Sequence, residues 1–345
     1  MKIFTMQWEG PIPGGLAVSV VNTSGLSNRR RNMNFHTNMQ TQIRAEGYDA
    51  VVGFNKLPDL DVYYAADVCF KARTANRSGL YKATSRYRHF IAWEQAVFAT
   101  DARTEILLLA EAQKGPYVQE YGTPEARFHV LPPDIAPDRF ADEYDLARRI
   151  EARQQLNIPA TDLVVLMVGS GFKTKGVDRA LRAIASLPAA LLSRVHLWVA
   201  GQDEPRAFLR LARTLKIADH VKFLGGRDDI PTLLLGADLL IHPAYHENTG
   251  NALLEAMAYG LPVLATDVCG YAPHVAKANA GLLVPSPFSQ EDFDRMLRQM
   301  LSSDERSSWG RNGCAYIRSI DLKARVKNAV DIIENQARRR IDASH

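Results

Sequence analysis

No window of the chain reaches the ~18 consecutive apolar residues that a spanning helix needs, so the sequence offers no membrane-crossing segment. Cysteine is scarce as well. Cys69, Cys269 and Cys314 stand apart without CxxC or Cys/His spacing, which sets aside a disulfide framework, a redox pair and a zinc site in favour of buried reduced thiols. The opening, Met1 to Gln7, lacks the basic region, apolar run and small-residue cleavage site of a secretory leader, so a cytosolic protein is expected. No repeat or low-complexity run is visible, and a net charge of +4 is too mild to imply a partner unless the basic residues cluster. What the chain does have is length. Its 345 residues, 46% apolar and 23% charged, exceed the roughly 250–300 residues at which a single core stops growing, and two domains are expected.

From residue 163 onward, short β-branched runs alternate with amphipathic stretches. Residues 163–168, 195–200, 221–224, 238–242, 262–266 and 281–284 read as strands, and windows such as 176–187, 205–215, 249–259 and 290–301 as helices. This alternation predicts a parallel sheet covered on both faces, an α/β doubly wound domain. The first half is less regular, with strands expected at 3–7, 17–21, 49–54, 61–65, 105–109 and 128–131 and helices at 28–46, 80–100 and 112–121. Pro132, Pro133 and Pro137 then remove backbone donors and disfavour helix before them. The boundary is therefore placed there, with an N-terminal domain over 1–135 and a C-terminal domain over 136–320. A basic helical tail over 321–345 is expected to pack back toward the first domain.

The most specific constellation runs from His242 to Glu255 and ends in Gly260-Leu261-Pro262-Val263. On one helix Glu247 and Glu255 would lie ~80° apart, so they serve one site only if Glu247 precedes the helix. Thr249 reads as its N-cap and Gly260 as the residue after its C-cap. Free N–H groups at such a helix start, beyond the carboxyl ends of parallel strands, suit a diphosphate, and carboxylates beside them suit sugar hydroxyls. Two solvated glutamates on an ordinary helix would look similar, but would not account for the Gly-x-Pro-Val exit. A second element, Val168-Gly169-Ser170-Gly171-Phe172-Lys173-Thr174-Lys175-Gly176, is a glycine-rich turn from strand to helix that backbone phosphate contacts could use. It matches neither a dinucleotide fingerprint nor a Walker loop.

These residues carry a resemblance. A glutamate, seven intervening residues, a second glutamate and a Gly-x-Pro-Val strand resemble the donor signature of the retaining glycosyltransferase family 4. Longer stretches, among them Trp8-Glu9-Gly10, Val51 to Lys56, Leu60 to Cys69, Thr84 to His89 and Val268 to Ala272, resemble its lipopolysaccharide core heptose glucosyltransferases. The resemblance implies a GT-B fold, two Rossmann-like domains facing a cleft, with the donor site within 160–260. It implies a hexosyltransferase that moves glucose from UDP-glucose, with retention, to an inner-core heptose. Glu247 would meet the donor hexose and Glu255 the ribose, while amides near Gly250 and Asn251, with Gly169 and Ser170, approach phosphate or sugar. Lys175 matches the family's phosphate-binding lysine. Thr174 stands where relatives carry an arginine, so Lys173 is either its substitute or a solvated lysine. Gly225-Gly226-Arg227 resembles the loop that holds the base. No cofactor is implied beyond the UDP-glucose substrate, and no metal: Asp59-Leu60-Asp61 imitates Asp-x-Asp but leads into an apolar strand.

The resemblance also implies a departure. Relatives open with a strand, a Gly-Gly loop and a helix bearing an aspartate near the reacting centre, whereas Met1 to Gln7 resembles the second strand. The N-terminal domain is thus expected to be incomplete, through a late start or a truncation, and the alternatives to an active transferase are an impaired nucleotide- and membrane-binding form or a family 4 enzyme with another donor or acceptor. Asp67, where relatives place a histidine or aspartate, is a catalytic candidate beside Glu247, and equally a helix N-cap. Between Asp67 and Glu94 no acidic residue occurs, while Arg86, Arg88 and five other basic or histidine residues lie among aromatics. Anionic lipid, a nucleic-acid phosphate patch or plain solvation all suit such a segment. With Lys56, Arg86, Arg88 and Trp93 facing an acceptor or lipid, the expected partners are a UDP-sugar, a lipopolysaccharide core acceptor and the anionic cytosolic face of the inner membrane rather than nucleic acid.

Overall fold

The computed structural model describes residues 1–136, 139 and 146–342. The chain divides into unit 1, Met1–Leu108, Gln113–Leu131 and Val326–His345, and unit 2, Leu109–Ala112 and Pro132–Arg325. The division falls at Leu131, where the prolines begin, while the short stretch 109–112, read with the first domain from sequence, goes with unit 2.

Unit 1 runs β1 (Lys2–Thr5), β2 (Ala17–Val20), α1 (Asn28–Glu46), β3 (Val52–Gly53), β4 (Val62–Ala65), α2 (Phe70–Arg73), α3 (Gly79–Lys82), α4 (Ser85–Phe98), β5 (Glu105–Leu108), α5 (Lys114–Tyr121) and β6 (Phe128–Val130). Every pairing is parallel, yet the strands form two sheets, β1-β2 and β3-β4-β5-β6. Helix α1 has the extent its sequence predicts. The Ser27 hydroxyl accepts from the Arg30 amide at 3.3 Å, Gly47 ends it at φ 70°, and Phe35, Met39 and Ile43, spaced by four, bury one stripe. The single helix expected over 80–100 is instead α3 and α4, because the Thr84 hydroxyl accepts from the Tyr87 amide at 3.2 Å and starts a new helix.

Unit 2 continues with α6 (Leu146–Gln155), β7 (Leu163–Val168), α7 (Val177–Ala185), α8 (Ala189–Leu192), β8 (Val195–Ala200), α9 (Arg206–Thr214), β9 (Val221–Gly225), α10 (Ile230–Gly236) and β10 (Leu239–His242). It closes with α11 (Asn251–Ala258), β11 (Val263–Thr266), α12 (Ala272–Ala278), β12 (Gly281–Val284), α13 (Gln290–Ser302) and α14 (Arg306–Ser319). Its sheet is one parallel array in the order β9-β8-β7-β10-β11-β12, the doubly wound order in which the first strand is central. Strand period 2 makes two cores of it. Val164, Leu166, Leu240 and Val263 face one apolar cluster with Leu253 and Met257 of α11, while Leu163, Val165, Met167, Leu239 and Ile241 face another with Leu181 of α7 and Leu297 of α13.

The last helix, α15 (Ala324–Asp342), belongs to unit 1 from Val326 onward. There Gln336 donates to Glu105 at 2.7 Å and Arg340 pairs with Asp61 at 2.8 Å. Among the described residues no helix is long and apolar enough to cross a membrane.

Candidate active site

The site follows from where unit 2 changes direction. From β7 the chain continues to β8 on one side, while β10 pairs on the other, so the loops after β7 and β10 emerge side by side at the strands' carboxyl ends. They are stitched together. The Tyr245 amide donates to Thr174 O at 2.8 Å, and Gly176 packs so closely on Pro243 that an added Cβ would lie 2.0 Å from the Pro243 carbonyl oxygen. Gly176 also has φ 76°, a second reason that only glycine fits.

Glu247 lies in the second loop, ahead of α11, and its side chain is 10% exposed. Lys175 donates to its Oε2, and so does His242 Nε2 at 3.0 Å. Burial works against the charge, but His242 and then Lys175 more than offset it and hold the Glu247 pKa down at about 2. The carboxylate is an anion fixed in place by two donors. His242 Nδ1 is buried with no partner among the described residues.

The expected N-cap is corrected by the structure. Gly250, not Thr249, caps α11, at φ 89°, a left-handed turn that glycine adopts without strain. Thr249 instead offers its carbonyl to the Tyr271 amide at 2.7 Å. Asn251 opens the helix, exposed, and Glu255 lies inside it, 3.9 Å from Arg139. In the first loop Gly169 and Gly171 take φ of 131° and 80°, and the Ser170 hydroxyl accepts from the Gln202 amide at 2.9 Å, tying the loop to the end of β8. Lys173 is mostly exposed, 3.4 Å from Asp178 and 5.0 Å from the centre of the Tyr245 ring. Arg227, after β9, pairs in bidentate fashion with Asp229 at 2.7 and 2.5 Å.

Sequence reasoning gave no role to a supporting layer. Asp178 accepts from Tyr245 and Arg182, both at 2.9 Å; burial raises its pKa, yet those two donors carry the balance below the ordinary value. The Arg179 guanidinium lies 3.6 Å from the centres of both the Tyr245 and Phe288 rings and donates to the Pro243 and Ala244 carbonyls. The one local signal for these two residues is their place just after Gly176, in the first turn of the helix that leaves the loop.

The candidates in unit 1 are arranged differently. The Lys56 ammonium is 2.5 Å from Glu94, a fully buried carboxylate that also accepts from the Phe70 and Lys71 amides and the Tyr121 hydroxyl. Asp67 is exposed and does not cap α2, whose N-cap is Cys69; its carbonyl accepts from the Tyr117 hydroxyl at 3.0 Å. Trp93 packs inward, with ring centres 4.2 Å from His89 and 5.7 Å from His36. Arg86 and Arg88 are exposed. The aromatics among them turn toward one another, Phe70 against Tyr87 and Phe90, while Arg73 and Arg86 lie over Phe70 and Phe90. Asp61 accepts from the Val51 amide at 2.7 Å, closing a loop.

A model of the group 1 glycosyl transferases matches residues 148–315, and a relative 42% identical spans 96% of the chain. The chain therefore belongs to the group 1 glycosyl transferases, glycosyltransferase family 4, and is a hexosyltransferase with the GT-B fold. That relative is the lipopolysaccharide glucosyltransferase WaaG of Escherichia coli K12, of whose length the match covers 90%. A crystal structure of WaaG superposes with a TM-score of 0.89 over 96% of this chain and 90% of that one. A D-inositol 3-phosphate glycosyltransferase of Salinispora tropica is 30% identical over 69% of this chain and 52% of its own length. The Anabaena protein Alr3699/HepE, in complex with UDP-glucose, shares the fold at TM-score 0.69 and 19% identity, over 93% of this chain and 85% of its own.

Proposed function

We propose that this hexosyltransferase moves glucose from UDP-glucose, with retention, to a heptose of the lipopolysaccharide inner core at the cytosolic face of the inner membrane. The observation that carries the reading is the anionic Glu247, held by Lys175 and His242 between the glycine-rich loop and the start of α11. A fixed carboxylate orients the hydroxyls of a hexose, while Lys175 and the first amides of α11 stabilise the departing diphosphate, so the step needs no metal. Retention then requires a positioned acceptor rather than an enzyme nucleophile. Glu255 meets the ribose, Arg227 lies in the loop that holds the base, and Lys173 adds a second cation for phosphate. Asp67 acts on the acceptor side, and the exposed Arg86 and Arg88 give the acceptor's membrane an anionic-lipid contact.

The glucosyl group and the lipopolysaccharide acceptor come from likeness to the lipopolysaccharide glucosyltransferase WaaG, and UDP and heptose from the family resemblance of the sequence. Calorimetric titration with UDP and UDP-glucose, on wild type and Glu255→Ala, tests the donor; glucose transfer to a heptose-terminated acceptor tests the reaction. Micromolar UDP binding that is lost in the variant, followed by transfer, is expected. Absence of UDP binding to the wild type overturns the reading. Binding without transfer supports the second reading, an impaired nucleotide-binding form, which one observation favours: the strands of unit 1 form two sheets rather than one.

A further inference from the structure

His242 is the last residue of β10, and its side chain is 2% exposed. Its ring makes one hydrogen bond among the described residues, from Nε2 to Glu247 Oε2 at 3.0 Å, and Nδ1 is buried without a partner. Because a carboxylate anion can only accept, Nε2 carries the hydrogen. A buried nitrogen left unpaired costs free energy that an apolar side chain of similar size would not. The imidazole is therefore a poor choice for packing, and what it gives in return is the bond to Glu247.

The rest of Glu247 is fixed by other means. Its backbone bridges in parallel to Cys269, and its Cγ lies so near Gly250 that a Cβ there would stand 3.3 Å away. What remains open is the terminal torsion of the carboxylate, a broad one with two-fold character that rotamer preference alone does not settle. Its donors settle it from one side. Lys175 and His242 meet the same oxygen, Oε2, and Oε1 takes no donor among the described residues. The two donors differ in how firmly they are held. Lys175 carries its charge on a flexible four-carbon stem and keeps 22% exposure. His242 stands in a strand, in register with Ala265 of β11, and its buried imidazole cannot follow a ligand.

We propose that His242 is the positioning residue of the hexose subsite: by pinning Oε2 it keeps Oε1 free to accept from a sugar hydroxyl, also when Lys175 is drawn from Oε2 toward the diphosphate. The proposal rests on the reading of Glu247 as the hexose contact. His242 then acts on the sugar half of the donor, through Glu247, and not on the nucleotide half.

The test compares UDP with UDP-glucose titrations of the full chain as wild type, His242→Leu and His242→Gln, the last because a glutamine amide can reach Oε2 as Nε2 does. His242→Leu is expected to weaken UDP-glucose roughly tenfold or more, the worth of a hydrogen bond to a charged group, and to change UDP less than about twofold. His242→Gln is expected to recover most of the loss. A role in packing alone would move both ligands together and would not be rescued by glutamine. Should His242→Leu fail to melt cooperatively, His242→Asn, polar but too short to reach Oε2, takes its place under the same criteria. Three outcomes overturn the proposal: equal weakening of UDP and UDP-glucose, no weakening of either, or a glutamine variant no better than the leucine one. The wild-type titration separates the two levels. A wild type that binds no UDP refutes the donor reading and this proposal with it, whereas a wild type that binds both ligands, with variants that fail as described, refutes the proposal alone.

Discussion

The two units use the same parallel architecture but put their buried charge in different places. In unit 2 both faces of the sheet are apolar, and two ion pairs, Glu247 with Lys175 and Asp178 with Arg182, lie in and just after the loops that follow the strands' carboxyl ends. In unit 1 the Glu94–Lys56 pair lies inside, where Glu94 gathers the start of α2, the Tyr121 ring and Lys56 around one carboxylate. A buried ion pair is weak evidence for stability in itself, but it is costly to break from one side. If the first set of charges serves the proposed donor site and the second the architecture, mutation separates them.

The largest effect is expected from Lys56→Ala. It leaves a wholly buried carboxylate without its counter-ion, at a cost of about 3–5 kcal/mol, read as lost thermal stability with UDP affinity unchanged. A parallel loss of UDP affinity would break the comparison. Next is the pH response of Glu247, whose pKa stands at about 2 against an ordinary 4.5. Because the folded value is depressed, this stabilisation is fully present above pH 4.5 and is lost as pH falls from there toward 2, on the order of 3 kcal/mol in all. Glu247→Gln should flatten that part of an acid denaturation series; a slope equal to that of wild type would count against the arrangement. Lys175→Ala should weaken UDP by roughly ten- to a hundredfold, the worth of one charge-assisted contact of ~1.5–3 kcal/mol, and should lower the melting temperature less than Lys56→Ala does, because His242 still holds the Glu247 carboxylate. The smallest effects belong to Arg86→Ala and Arg88→Ala. Each should lower binding to anionic vesicles about fivefold, or ~1 kcal/mol, and leave neutral vesicles unaffected.

Much of unit 2 was legible in its sequence because its signals are local. The run Leu163–Val168 can be little else than a buried strand, and its successors repeat the pattern. Helix α1 was equally plain, since Ser27 and Gly47 mark both ends. In the site, the motif placed Glu247 before the helix and Glu255 inside it, as the structure has them. What escaped depends on partners far apart in the chain. Nothing near Arg179 announces that Tyr245 and Phe288 enclose it, nor near Lys56 that its ammonium will sit on Glu94. The N-cap of α11 was misread for another reason: Thr249 is the better cap by side chain, but the chain there must turn through positive φ, and Gly250 does so at no steric cost.

The contact of Gly176 with the Pro243 carbonyl, joined by the Tyr245-to-Thr174 hydrogen bond, has a practical meaning for anyone re-engineering these loops. The loops after β7 and β10 are not independent modules. A graft that replaces one and keeps the other inherits a backbone surface shaped for its former neighbour, so the two segments are best exchanged as a single cassette, with Gly176 retained.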